Sequence, residues 1–216
     1  MKKKLISLAL PAAILFICSA AACAEEIKPV KLLPPQTDGG KPLMLALKDR
    51  KSTREFAPGE LSAQELSDLL WAACGINRPD SGLRTAPTAK NMQEIDVYVV
   101  KAEGVYLYDA GTNMLMPVLK GDIRESTGKQ PFVKDAPINL IFVADLSRMR
   151  GMSAQDADFY AATDTGFVSQ NVYLYCASAG LATVVRGWVD KAGLAKVMKL
   201  RPDQKIVLAQ TVGYRK

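Results

Sequence analysis

Between Pro137 and Asp145 the chain reads Pro-Ile-Asn-Leu-Ile-Phe-Val-Ala-Asp, apolar at nearly every position. A strand of this kind has no side that water can wet, so it must run through a sheet covered on both faces. Other segments supply the neighbours and the covers. Ile95 to Val100 alternates as a strand, and Gly104–Asp109 with Met114–Leu119 reads as a hairpin around Ala110-Gly111-Thr112-Asn113. Ala182–Val185 and Lys205–Tyr214 are further strands. Helices are marked by their ends. One runs through Leu43–Leu47; a second opens on Ser62 with Glu65 three residues on, carries Leu66, Leu69, Leu70 and Ala73 at helical spacing, and stops at Gly75. A long helix spans Ser153–Ala179. Its second half, from Gly166, is apolar on almost every side, which suits a core or a subunit interface. Gly180 stops it, and Asp190 caps a short helix reaching Met198. Helices and strands mix without regular alternation, so the fold class is α+β, with a mainly antiparallel sheet packed by helices.

The N-terminus reads as an address rather than as fold. Lys2, Lys3 and Lys4 precede an apolar run to Ala22, and Ala22-Cys23-Ala24 offers small residues for cleavage, so residues 1–24 are expected to be a signal peptide. Residues 25–42, with Pro29, Pro34, Pro35, Gly39 and Gly40, form an extended arm, and residues 43–216 the folded domain. Cys23 is also a candidate lipid anchor, although Ala20 stands where lipoprotein signals usually carry Leu. Either route puts the folded part in the periplasm or cell envelope. Without a twin arginine, export of an unfolded chain and later loading of any cofactor are expected.

Composition removes several classes of function. Cleavage takes away three lysines and no acids, so a net charge of +6 falls to +3, too mild to imply a nucleic-acid partner. The chain contains no histidine, which excludes Ser-His hydrolysis, His-ligated zinc and a His general base. An oxidising compartment permits pairing of Cys74 with Cys176, but each lies in an apolar helical stretch, where a buried free thiol is expected.

Three segments carry chemistry. Arg50, Lys51, Ser52 and Arg54 place three cations and a hydroxyl within five residues, able to surround a phosphomonoester; by itself this is equally a solvated basic turn. Pro87-Thr88-Ala89-Lys90-Asn91, followed by Gln93, combines a proline-fixed turn and small residues with amide groups that suit the edge of a heterocycle. Alone it would be an ordinary helix start. The third is Arg186-Gly187-Trp188 after a strand, where a glycine lets main-chain N–H groups face a ligand.

In this order the three segments resemble the nitroreductase family of FMN-dependent oxidoreductases, over essentially the whole chain from Leu43. The stretch from Leu69 to Arg78 leading into Arg84–Asn91 is similar to the branch that includes azoline-oxidising dehydrogenases. The resemblance implies that Arg50, Ser52 and Arg54 hold the FMN phosphate and ribityl chain, with Lys51 where the family often has a second arginine. It implies that Pro87, Thr88, Ala89 and Asn91 reach a flavin bound mainly by the other subunit of a homodimer, and that Arg186 and Gly187 lie beside the flavin's pyrimidine and N5 edge. Arg186 stands where the family commonly has glutamate, and is open to two uses: stabilising anionic reduced flavin or turning to solvent. Whether Arg215 and Lys216 reach the phosphate is left open.

No protein acid or base is obligatory in such an enzyme, since the flavin carries the hydride chemistry to or from a small organic substrate. The family's usual donor, NAD(P)H, is scarce outside the cytoplasm, so an exported member implies another reduced carrier or an oxidised substrate. Two other readings stay open: an envelope binding or assembly protein of the same fold that has lost FMN, and a specialised dehalogenase or azoline oxidase.

Overall fold

The structure, a computed structural model, describes residues 26–216. The signal segment and Cys23 lie outside the described residues. The strands are β1 (Val30–Lys31), β2 (Phe56–Ala57), β3 (Ile76–Arg78), β4 (Leu83–Arg84), β5 (Ile95–Val100), β6 (Gly104–Asp109), β7 (Met114–Lys120), β8 (Ile138–Asp145), β9 (Ala182–Arg186) and β10 (Gln204–Arg215). The helices are α1 (Leu43–Asp49), α2 (Ala63–Cys74), α3 (Ala154–Ala179) and α4 (Lys191–Val197).

The main sheet runs β1-β7-β6-β5-β8-β10-β2, and β9 also pairs with β10 beside β2. Each pairing is antiparallel. β3 and β4 make a separate two-stranded ribbon.

The apolar run that opened the sequence is β8, buried at all eight positions. Alternate residues serve two cores. Leu140 and Phe142 join Val97 and Val99 of β5 under α2 and α3, while Ile141 and Val143 join Tyr98 and Val100 under Leu194 and Met198 of the α4 region. Period-two geometry thus turns one continuous apolar segment into the floor of two layers.

Local chemistry sets the helix ends. Ser62 Oγ accepts from Glu65 N–H while the Glu65 carboxylate accepts from Ser62 N–H, a complete capping box for α2. Gly180 closes α3 in the left-handed conformation, and Asp190 caps α4 by accepting from Gly193 N–H. Cys74 and Cys176 are both free and buried.

The segment before α1 is extended but not loose. β1 pairs with the edge of β7, Ser67 Oγ and Asn113 Nδ2 both donate to Leu33 O, and Lys41 N–H donates to Ser178 Oγ at 2.8 Å. It crosses α2 and delivers the chain to α1 against α3. β1 to β4 are two or three residues long, too short for a periodic signal, and only their partners define them.

Because both faces of β8 are covered, Leu140→Ala and Ile141→Ala should each destabilise the domain by about 2–5 kcal/mol in chemical denaturation. A sheet with one wet face would lose that much at only one of the two positions.

Candidate functional site

The basic segment begins where α1 ends. Arg50 N–H still donates to Ala46 O, after which the chain extends and Thr53 N–H donates to Thr183 O of β9 at 2.9 Å. Tyr173 of α3 organises what lies between. Its hydroxyl oxygen accepts from Val185 N–H at 3.0 Å and lies 2.7 Å from Ser52 Oγ, while the Arg50 guanidinium stands 5.3 Å from the ring centroid. If the tyrosine donates to Ser52, the serine hydroxyl proton is left to turn outward. Lys51 and Arg54 are exposed beside it. Arg215 arrives from the far end of the chain, paired across the sheet with Phe56 and donating from Nε to Leu181 O at 3.1 Å. Antiparallel pairing of β2 with β10 thus brings a further cation to the segment that holds Arg50, Ser52 and Arg54.

The loop from Pro87 to Asn91 is a different kind of object. Ala89–Asn91 forms a single 3-10 turn in which Lys90 has φ 52°, and Asn91 and Gln93 follow with φ 54° and 49°. Three non-glycine residues in the left-handed region within four positions cost free energy that surrounding contacts must offset. Those contacts are present. Ala89 N–H donates to Asp164 Oδ2 of α3 at 2.8 Å, and Gln93 N–H donates to Thr88 Oγ1 at 3.0 Å. Gln93 spends its side chain on the loop itself, accepting from Arg84 Nε and donating to Gly82 O and Asn91 Oδ1. Its amide therefore builds the turn and is not spare for a heterocycle. Pro87, Lys90 and Asn91 are exposed; Thr88 and Ala89 are half-buried.

Arg186 needs a correction. It does not turn to solvent: it is 4 % exposed, and its guanidinium donates to Thr211 Oγ1, Thr127 O and Asn139 Oδ1 at 2.8–3.0 Å. Those partners are neutral, and burial pushes the guanidinium down to about 10. Thr211 pairs with Asn139 and faces the α4 side of the sheet, so the cation points away from α3. A Cβ on Gly128 would collide with Arg186 Nη1, so the glycine gives the cation its room. What reaches the surface here is Gly187. Its φ is not in the left-handed region, and a Cβ would meet only Leu208 Cδ2 at 3.7 Å. Neither strain nor internal packing calls for glycine there, whereas a ligand lying flat on the strand end would.

Sequence reasoning missed Tyr173 and Asp164. They read as ordinary members of a long helix, and the one available signal was a polar atom at a position that helical spacing puts near the core. They are nine residues apart, about 13 Å along the axis and half a turn in rotation. The basic segment and the loop therefore flank α3 on opposite sides. Between the flanks runs an exposed stripe with Phe159 at 63 % and Phe167 at 43 % exposure. Against the C-terminal half of α3, by Asn171, Leu174 and Ser178, α1 presents Leu43 and Met44, at 63 % and 74 %.

Comparisons with known proteins identify the family to which this fold belongs. Residues 47–214 match the model of the nitroreductase family. A nitroreductase homologue of Methanocaldococcus jannaschii is 30% identical over 162 residues, covering 70% of this chain and 81% of that one. The crystal structure of a nitroreductase homologue from Ralstonia eutropha JMP134 superposes with a TM-score of 0.84 at 44% identity, covering 87% of this chain and 90% of the other. The NADPH:FMN oxidoreductase of Vibrio harveyi, solved with NAD+, shares the fold at 18% identity and a TM-score of 0.58, covering 81% of this chain and 67% of that one. Matched by the family model over most of its length and by relatives across most of theirs, the chain belongs to the nitroreductase family, whose members are oxidoreductases.

Proposed function

We propose that this chain is an FMN-dependent oxidoreductase working as a homodimer outside the cytoplasm on a small organic substrate. The observation that carries the reading is the basic segment docked on Tyr173, with Arg50 and Ser52 pre-positioned and Arg215 brought alongside by β10. Four cationic side chains and a hydroxyl at one edge fit a phosphomonoester. Gly187 fits the ring: its backbone is bare where a side chain would stand up from the strand end.

Bound FMN supplies the two-electron chemistry. The chain's own part is to bind, orient and exclude water. Arg50 and Arg54 neutralise the phosphate and fix the tail, Ser52 donates to it, and Gly187 with its neighbouring main chain supports the ring edge. Asn91, exposed at the tip of the strained loop, has a side-chain donor free to meet a ring placed there.

The loop and the basic segment sit on opposite flanks of α3, so we infer that one flavin meets both only when they come from different subunits. The exposed stripe between the flanks supports this. Phe159, Phe167, Leu43 and Met44 form the kind of apolar surface that marks an interface. Gly166, in mid-helix, has nothing within 4 Å of a Cβ position. Glycine there weakens the helix by about 0.5–1 kcal/mol relative to alanine, and close approach of a second helix would account for it.

Export rests on residues 1–24 and sets the donor: a reduced carrier other than NAD(P)H, or the substrate itself. The Leu69–Asn91 stretch supports a position beside the azoline-oxidising dehydrogenases. The purified mature protein should be yellow and release FMN on denaturation; a colourless protein that FMN does not titrate would favour a binding protein of the same fold.

Two measurements test the shared site. Arg50→Ala or Arg54→Ala should weaken FMN binding by about 1.5–3 kcal/mol for each charge-assisted hydrogen bond lost, while riboflavin, lacking the phosphate, should be nearly indifferent. Equal losses for both ligands would assign the cluster to the fold. Mixing an Arg54→Ala chain with an Asn91→Ala chain should restore about one intact site per heterodimer, read by flavin fluorescence. Heterodimers that form without recovering flavin would place loop and cluster on the same subunit's site.

A further inference from the structure

Directly after the strained loop comes Glu94, wholly buried, with neither carboxyl oxygen accepting a hydrogen bond from another residue and only its own backbone amide close by. An ionised carboxylate in that setting would bear a cost of desolvation that this amide and the engaged Arg148 offset only in part. What faces it is another acid. Asp164 of α3, 2 % exposed, lies within hydrogen-bonding reach of Glu94 and is the same residue that accepts from Ala89 N–H. Two carboxyls bond to one another only if one of them carries a proton. Ala89 N–H already donates to Asp164, whereas neither Glu94 oxygen accepts from another residue, so the shared proton is assigned to Glu94. Among the described residues no third acidic or cysteine side chain joins them to make a cation cage.

The charged groups that face Glu94 are Asp164 from α3 and Arg148 from the turn Leu146–Arg148. Arg148 is engaged elsewhere, donating to Gln93 O at 2.8 Å and to both oxygens of Asp96, with Asp145 3.5 Å away. Glu94 is held at its backbone by Asp145 N–H, which donates to Glu94 O at 2.9 Å. Its side chain therefore cannot swing out to water without moving β5.

We propose that Glu94 and Asp164 form a one-proton carboxyl pair that positions the Pro87–Asn91 loop, Asp164 clamping Ala89 N–H and Glu94 supplying the proton that lets Asp164 stay there. Glu94 is a positioning residue and acts through Asp164. When the proton leaves for solvent, two carboxylates face each other in a dry site, and the restraint that offsets the left-handed turn at Lys90 and Asn91 weakens. The loop's contact with flavin rests on the function proposed above; its dependence on the pair does not.

Burial, with the Asp164 carboxyl beside it, pushes the Glu94 acid up to about 7 from its ordinary value of 4.5, against the pull of its own backbone amide and of Arg148. The part of this rise that depends on the closed loop stabilises that loop at low pH, where Glu94 keeps its proton, and is lost as pH rises through the raised value. Above it the contribution is gone.

Amide hydrogen exchange at Ala89 in the full mature chain tests this. After correction for intrinsic exchange, protection should fall as pH rises through about 7 and then level off. Glu94→Gln keeps a donor for Asp164 at every pH, so its protection should stay high and flat. Asp164→Ala, which removes the acceptor for Ala89 N–H, should lose protection throughout. Wild-type protection that is flat from pH 4.5 to 8, or an unchanged slope in Glu94→Gln, would overturn the pair; the wild-type profile decides alone if a variant fails to fold. FMN affinity, compared between wild type and Glu94→Gln at each pH so that ionisation of the phosphate cancels, should diverge over the same window. A loop that loosens on schedule while the two affinities stay equal would uphold the pair and overturn the loop's place at the flavin.

Discussion

Tyr173 and Asp164 leave α3 in opposite directions, and the arrangement of this protein depends on that half-turn. A 26-residue helix is stiff, and once its inner face is packed on the sheet its rotation is set. One flank then presents a phenol that holds the Arg50–Arg54 segment, the other a carboxylate that holds the Pro87–Asn91 loop. Between them the outer stripe is exposed and carries Phe159 and Phe167 among small and polar residues. The helix that looks merely buried in sequence thus positions both halves of the candidate site and the surface on which a second copy would lie.

The sheet beneath is organised to permit this. β8 and β5 send alternate side chains to two cores, so α3 has a flat apolar floor and α4 covers the reverse. The Arg186 cluster belongs to that reverse side. A buried guanidinium with only neutral acceptors is costly, and Thr127, Asn139 and Thr211 offset the cost by hydrogen bonds alone. It ties β8, β9 and β10 to the turn before Gly128, and so holds the strand end from which Gly187 emerges. The charge serves the position of the glycine more directly than it serves a ligand.

Much of the fold was legible in sequence because its signals were local. The Ser62–Glu65 cap, the hairpin around Ala110–Asn113, the stop at Gly180 and the continuous run of β8 each declare themselves within a few residues. The short pieces from β1 to β4 were not, since two residues carry no period. At the candidate site, residue type and order are enough to nominate Arg50, Ser52, Arg54 and the loop. They do not nominate Tyr173, Asp164 and Glu94, because an aromatic or acid in a helical or strand pattern announces its partner only when the partner is folded against it. Arg186 was found and its orientation missed: strand position gives a side chain one of two faces, and which face is lined by Asn139 and Thr211 depends on the register with β8 and β10.

Sequence alone determined the fold class, the ends of the long elements, the absence of histidine chemistry and the set of residues able to meet a phosphate and a flat ring. These follow from side-chain chemistry and short-range spacing, which do not depend on distant contacts. Only the tertiary structure decided that the basic segment and the loop stand on opposite flanks of one helix, that Arg186 turns inward, and that Glu94 meets Asp164 with no donor between them. Those are facts of burial and register. They arise when segments as far apart as residues 94 and 164 exclude water from the same small volume, and no local pattern encodes that exclusion.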